Sequence, residues 1–267
     1  MSLVHILLVA IIQGVTEFLP VSSSGHLILL PRLTGLSDQG QVIDVAVHIG
    51  TLFAVVLYFW TDVKLGLLGI PRMLTGRIDT AGSRLAFLLM LATIPVIVFG
   101  FILKVTGLSD QMRSITVIGW TMIIFGVVLY VVDTKSKQVL EAPDWTIRHA
   151  IIMGLWQAIA LIPGTSRSGI TISGARALGY TRQDGAKLAM LMSIPTIIAS
   201  GVLLGLDVIG QADVRMAKDA GIAAIFSFIA ALCALGLMMR LLRSISFTPY
   251  VIYRIVLGLI LLAIAYT

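Results

Sequence analysis

The sequence predicts an all-α polytopic membrane protein with six full transmembrane helices and two re-entrant helical hairpins in an inverted-topology repeat. Three observations predict it: a composition too apolar for water, six uncharged or nearly uncharged runs of spanning length, and two apolar stretches interrupted by small polar residues. Of the 267 residues, 58% are hydrophobic and 12% charged, against about 25% charged in a soluble domain. Mean hydropathy is +1.02. A soluble monomer of this length has too little core to hide that surface, so a water-soluble enzyme, a disordered chain and a nucleic-acid module all fit poorly. The net charge of +6 then speaks to membrane orientation rather than to an acidic partner. Cys233 is the single cysteine, so no intrachain disulfide forms, and no Cys/His zinc pattern exists. No Lys or Arg precedes Arg32, so the apolar N-terminus lacks the basic flank of a cleaved signal peptide.

A span needs roughly 20 apolar residues at 1.5 Å each. Residues 85–103 lie between Arg84 and Lys104, and 114–132 between Arg113 and Asp133. Residues 188–206 lie between Lys187 and Asp207, and 220–239 between Asp219 and Arg240. A fifth span, about 42–60, carries Asp44 and His48 near its start, and a sixth, about 247–266, has Arg254 in its first turns. The basic, amphipathic stretch 61–84 reads as a cytoplasmic interfacial segment beside anionic lipid.

Two regions behave differently. Residues 3–31 are broken by Gln13, Glu17, Pro20 and the run Ser22–His26, and residues 147–180 by Pro163–Gly169. The arms on either side of each break span only roughly 16–24 Å by helical rise. Two short arms meeting at a polar tip make a re-entrant hairpin, because non-helical backbone at membrane depth needs protein or a water-filled cavity around it. Gln13 and Gln157 are 144 residues apart, as are Ser24-Gly25 and Ser168-Gly169. Each broken region precedes three spans, an odd number, so the second half starts on the opposite side of the membrane. The whole chain, 1–267, is thus expected to be one integral membrane domain, with repeat 1 over about 1–133 and repeat 2 over about 145–267. With six spans, thirteen basic residues, Arg254 among them, fall on one side, and Arg32, Lys104, Arg113, Arg215 and Lys218 on the other. That bias puts both termini and the entry of the first hairpin outside, and the second hairpin's entry in the cytoplasm.

Glu17, His26 and Arg167 lie on or beside the tips, where an ionised group costs about 2.5–3.5 kcal/mol on insertion scales. Gln13 and Glu17 share a helix face. Pro20 ends the first incoming arm, and Ser22, Ser23 and Ser24 suit the N-cap of the outgoing arm, with His26 in its first turn. Pro163 ends the second incoming arm, Gly164 follows, and Thr165 and Ser166 are its caps. Two helix N-termini would then point at a common centre, each with free N–H groups and about half a positive charge. Hydroxyls of Ser23, Ser24, Ser166, Ser168 and Thr171 surround them, and the Arg167 fork suits phosphate. The constellation reads as an anion site for phosphate or pyrophosphate. The plainer reading pairs Glu17 with Arg167 simply to hold the hairpins together, which is compatible with function. Ser23 is a candidate nucleophile with His26 as base, or His26 itself attacks. Glu17 orients the histidine or holds a divalent cation. Asp44 and His48 read first as an ordinary polar helix end, with a metal site as the second reading. Trp156 reads as packing, and Gln157 as a partner for backbone at the break.

These motifs in this order resemble undecaprenyl pyrophosphate phosphatases of the bacitracin-resistance type. The likeness covers nearly the whole chain and is densest in QGVTEFLPVSSSGH (13–26) and PGTSRSGIT (163–171), with RSISFTPYVIYR (243–254) similar to the family's closing region. The resemblance implies a multi-pass enzyme of the bacterial cytoplasmic (inner) membrane that removes the terminal phosphate of undecaprenyl pyrophosphate and returns the carrier lipid to cell-wall synthesis. It implies an active site open to the outer, periplasmic face and dependence on a divalent cation, Mg²⁺ or Ca²⁺, with no organic cofactor. By motif position Gln13 and Glu17 are the acidic-motif pair, followed by Ser23 and His26; Ser166, Arg167 and Thr171 stand on the phosphate side. Gln13 stands where some relatives carry Glu, which leaves one carboxylate for a metal at this motif, Glu17. The expected partners are undecaprenyl pyrophosphate and membrane lipid, with no nucleic acid; a homodimer is compatible with the sequence, which does not fix the oligomeric state.

Rival classes remain at this level. Broken helices in inverted repeats also mark transporters, so a polyprenyl-phosphate transporter or flippase is the alternative function. The acid-phosphatase superfamily shares serine–glycine–histidine and serine–arginine pieces, but it needs a nucleophilic histidine downstream, and this chain has none after His149. A purely structural membrane protein leaves Glu17 and Arg167 without a return for their membrane cost.

Overall fold

The computed structural model describes the chain apart from residues 36–38, 109–111, 113 and 209–213, together with the side chains of 32–34, 204–208, 214 and 215. Arg113 and the side chains of Arg32 and Arg215, three of the cations expected on the outer side, therefore lie outside the described residues. Among the described residues there are eleven α-helices and no β-strand. In chain order they are α1 Leu3–Phe18, α2 Ser23–Thr34, α3 Gln41–Tyr58, α4 Trp60–Leu74, α5 Ala81–Thr106, α6 Ile115–Lys135, α7 Ile147–Ile159, α8 Arg167–Leu178, α9 Arg182–Val208, α10 Val214–Leu241 and α11 Thr248–Tyr266. A 3₁₀ turn at Ala142–Asp144 precedes α7.

Six helices (α3, α5, α6, α9, α10 and α11) are long and apolar enough to cross a membrane. All six match the uncharged runs of the sequence. Their outward faces carry large apolar side chains such as Phe53, Met90, Phe101, Ile225, Leu237 and Leu259, all exposed, as a lipid-facing surface requires. The protein is a multi-pass membrane protein.

Helix ends follow local chemistry. Thr80 caps α5, its hydroxyl accepting from Ser83 N–H while Ser83 Oγ accepts from Thr80 N–H. Ser114 caps α6 and Thr146 caps α7 more simply, each hydroxyl accepting one N–H, from Val117 and His149. Gly107 and Gly179 close α5 and α8 in the left-handed conformation. The stretch 61–84 holds α4, which packs on α5 where Gly69 meets Gly82.

Packing between helices rests on small residues, as expected where lipid offers no hydrophobic drive. A Cβ on Gly14 of α1 would stand 2.6 Å from the Ser227 carbonyl of α10, and one on Gly154 of α7 would stand 2.5 Å from the Ala92 carbonyl of α5. The two short incoming helices thus lie against long spans by the same device. Helix α11 lies on α6, α10 on α3, and α9 touches α3, α5 and α8. The largest buried cluster gathers Phe18, Val55, Met190, Leu235 and Phe247 between these helices.

Two basic residues counted by the sequence as one side's surface charge are instead fully buried. Arg176 meets Asp133 at 3.0 Å, and Asp133 also accepts from Arg182 and from Phe247 N–H. Arg254 lies inside the bundle at 0% exposure. Helix α11 packs on α6 and the two helix breaks close over Arg254, burial that charge counting along a sequence does not register.

Candidate active site

Both helix breaks are built alike. Helix α1 stops at Phe18 before extended Leu19 and Pro20, and the chain turns at Ser22, with φ 71° and ψ 99°, into α2. Helix α7 stops at Ile159, and the chain turns through Gly164 (φ 86°) and Ser166, with φ 67° and ψ 111°, into α8. Ser22 and Ser166 are the two non-glycine residues with positive φ among the described residues. Ser22 and Ser24 hydroxyls lie 3.1 Å apart, as do those of Ser166 and Ser168.

The tips meet. Gly164 N–H donates to Ser24 Oγ at 3.2 Å, and Ser168 Oγ donates to the Leu19 carbonyl at 2.9 Å. Thr121 of α6 donates to the Pro163 carbonyl at 2.6 Å. Ser166 Oγ accepts from Gly169 N–H and caps α8. Direct bonds thus join the two breaks.

Beside that junction lies a cavity of about 220 Å³ walled by Glu17, Ser22, Ser23, Ser24, His48, Ala160, Gly164, Ser166 and Arg167, with Thr196, Ile197 and Ser200 of α9. Arg167 Nη2 donates to Glu17 Oε1 at 2.6 Å, joining the two breaks by a partly buried ion pair. Glu17 Oε2 accepts from Gln13 Nε2 at 2.7 Å and from Ser23 Oγ at 3.1 Å. Arg167 Nη1 donates to the Ser193 carbonyl of α9. Taking a guanidinium and a carboxylate out of water is costly unless each is hydrogen-bonded and paired; here both are, and each still faces the cavity.

Several expected residues stand elsewhere. His26 does not reach Ser23: its Nδ1 bonds the Ser22 carbonyl at 2.8 Å, and its Nε2 meets the Tyr253 hydroxyl at 2.7 Å with the rings stacked. Nδ1 must carry the proton to donate to a carbonyl, so Nε2 accepts from Tyr253. Position N4 of α2 turns the imidazole toward α11, whereas Ser23 at N1 faces Glu17. The group in contact with Ser23 is therefore Glu17. Gln13, Thr165, Ser168 and Thr171 are buried behind the cavity wall rather than on it. Gln157 bonds the Thr196 hydroxyl of α9, not backbone at the break, and Trp156 packs on Gly174 as expected.

Sequence reasoning placed two residues wrongly or left them out. His48 of α3, read as a polar helix end, faces the site: Nδ1 donates to the Asp44 carbonyl, and Nε2 lies 3.2 Å from Gln13 Nε2 and 4.0 Å from Glu17 Oε2. Arg254 was counted as surface charge, yet its guanidinium donates to carbonyls of both breaks: Pro20 at 3.4 Å, Gly164 at 3.3 Å and Thr165 at 2.8 Å. The signal was present in each case, since an ionisable residue inside an apolar span is a site candidate by default.

A cation fits this donor set only in part. Among the described residues, no three His, Cys, Asp or Glu side chains cluster as a metal cage. Glu17 is the lone carboxylate, and both its oxygens are engaged. Glu17 and Ser23 could share a cation whose remaining ligands are phosphate oxygens, the usual habit of Mg²⁺.

The chain matches the family model "Bacitracin resistance protein BacA" over residues 6–260. This chain belongs to that family. It is similar over its full length to proteins named undecaprenyl-diphosphatase. The Ruegeria pomeroyi protein is 70% identical over 100% of both chains. That of Roseobacter denitrificans is 61% identical over 100% of both, and that of Saccharophagus degradans 41% identical over 100% of this chain and 99% of its own. In this BacA-family chain the residues of both long sequence motifs converge on one cavity and the wall behind it.

Proposed function

We propose that this membrane protein is an undecaprenyl-diphosphatase, hydrolysing undecaprenyl diphosphate to undecaprenyl phosphate and phosphate. The observation that carries the mechanism is the continuous chain Ser23–Glu17–Arg167 at the wall of one cavity, with a helix N-terminus arriving from each break.

Arg167 and the N-termini of α2 and α8 hold the diphosphate. As Arg167 turns to phosphate, Glu17 is left free to take the Ser23 proton. Ser23 Oγ attacks the terminal phosphorus, the Oγ–P bond forms, and the bridging P–O bond breaks as undecaprenyl phosphate leaves. Water then attacks the phosphoserine phosphorus, the Oγ–P bond breaks, Glu17 returns its proton to Ser23 Oγ, and phosphate departs with the water's oxygen as one water proton passes to the medium. Gln13 holds Glu17 in place from behind the wall, and His48 stands beside it on the wall. His26 works at one remove, tying the Ser22 carbonyl to Tyr253 and so fixing the first turn of α2. A divalent cation, Mg²⁺ or Ca²⁺, would be shared by Glu17, Ser23 and the phosphates and would offset their charge; no step above is routed through it.

The architecture is proposed to be two re-entrant hairpins, α1–α2 and α7–α8, in an inverted repeat over about 1–133 and 145–267. Supporting this, the four helices have 16, 12, 13 and 12 residues, about 24 Å or less each by helical rise. Their turning residues Ser22 and Ser166 are 144 positions apart with matching backbone angles. With the buried Arg176 and Arg254 set aside, the basic bias is eleven against five (thirteen less two). That supports a bacterial inner-membrane protein whose cavity opens to the periplasm.

Purified protein in detergent, given undecaprenyl diphosphate with and without chelator, tests the reading. Phosphate release is expected, and its loss with chelator would place a cation in the reaction. No release from folded protein across several cations would overturn the enzyme in favour of a lipid-phosphate transporter.

A further inference from the structure

We propose that Arg254 is the positioning residue that aims the second break at the diphosphate; this rests on the function proposed above. Arg254 does not line the cavity. It stands behind it, fully buried, and donates to three break carbonyls, Pro20 on one side and Gly164 and Thr165 on the other. A trans peptide is planar, with C=O and N–H on opposite edges. Drawing the Thr165 carbonyl back to Arg254 therefore turns the Ser166 N–H the other way, and Ser166 is a wall residue of the cavity.

The same guanidinium brings a charge. Among the described residues no carboxylate pairs with it, and its Nε has no partner. A cation buried without a counter-charge is expensive, and this one lies directly behind a site whose ligand is an anion. Two features of the packing keep it there. Helix α11 reaches α6 across Gly119 and Gly258, and Gly169 of α8 leaves room for Nη1, since a Cβ there would stand 2.7 Å from it. Arg254 thus holds both tips by their carbonyls and turns one N–H, that of Ser166, toward the substrate; the N–H groups of Val21 and Thr165 are spent on the Leu19 and Ile162 carbonyls. Lysine cannot reproduce this, because one ammonium does not span the Pro20 and Thr165 carbonyls as a planar fork does.

A group that aligns donors for developing charge acts on kcat rather than on KM. Steady-state phosphate release should fall about 10²-fold in kcat for Arg254→Met and about 10-fold for Arg254→Lys, with KM within about 3-fold, by analogy with loss of one oxyanion donor. Gly169→Ala keeps Arg254 but displaces Nη1, and alanine favours the helix. It should lower kcat several-fold in protein that is still fully folded at the assay temperature, a loss that a merely structural role would not produce. Wild-type kcat in both Arg254→Lys and Gly169→Ala, or losses that track thermal stability alone, would overturn the inference while leaving the phosphatase standing. Wild-type protein that releases no phosphate would overturn the phosphatase and this inference together.

Discussion

The breaks at Ser22 and Ser166 share a backbone and divide the chemistry. Each turns on a serine with φ near 70°, and each pairs two serine hydroxyls at 3.1 Å. Yet the first presents a carboxylate and a hydroxyl to the cavity, Glu17 and Ser23, whereas the second presents Arg167 and a capped helix N-terminus. The difference teaches that one backbone turn can carry two kinds of chemistry, set by the side chains beside it. On the proposed mechanism one tip reacts and the other holds.

Arg167→Ala tests the holding tip and carries the largest expected effect. It removes the phosphate fork and leaves Glu17 buried without its cation, so kcat/KM should fall by about 10³-fold or more. Phosphate release near the wild-type rate would end the division of labour. On the reacting tip, Ser23→Ala should lower kcat by about 10²–10³-fold and abolish any phosphoserine trapped by acid quench. Turnover close to normal would hand the attack to His26 or to water. The tips should also differ in what they tolerate. Gly164→Ala forces a side chain onto φ 86°, with its Cβ 2.2 Å from Thr121 Oγ1 and 2.6 Å from the Ile118 carbonyl. Strain and overpacking together should destabilise by about 2–4 kcal/mol in thermal unfolding. Pro20→Ala, at the matching place in the first break, should cost less. The smallest effect is expected for Tyr253→Phe, which keeps the ring stack on His26 and loses one hydrogen bond. A loss of about 3-fold in kcat fits a supporting histidine; a loss of 10-fold or more would put His26 into the chemistry.

All six spans were legible because a long apolar run has one stable outcome in lipid. Glu17 and Arg167 were legible too, as ionisable groups inside apolar sequence, and Ser23 as a hydroxyl at the break beside them. The partner of Ser23 was not. His26 is three positions from Ser23 along the chain, but one turn of α2 sends the two side chains to different neighbours, and a helix fixes direction as well as spacing. His48 and Arg254 were missed for another reason. Each is an ionisable residue in an apolar span, which marks it as a candidate, but what it bonds emerges only through packing on α1 or against the two breaks. Tertiary contact of that kind leaves no periodic mark in the sequence.

The order in which the chain is made gives the Arg254 clamp a further meaning. The carbonyls of Pro20, Gly164 and Thr165 find this donor only in α11, which follows all ten other helices. A buried carbonyl left unmatched costs about 1–3 kcal/mol, and each positive-φ serine stores about as much strain. During biosynthesis both breaks should therefore stay slack and hydrated until α11 docks, so that lipid hydrolysis begins only in a fully inserted protein. Residues 1–245 and 246–267 expressed as two chains should together recover phosphate release that neither gives alone. Release by 1–245 alone would mean that the breaks hold themselves.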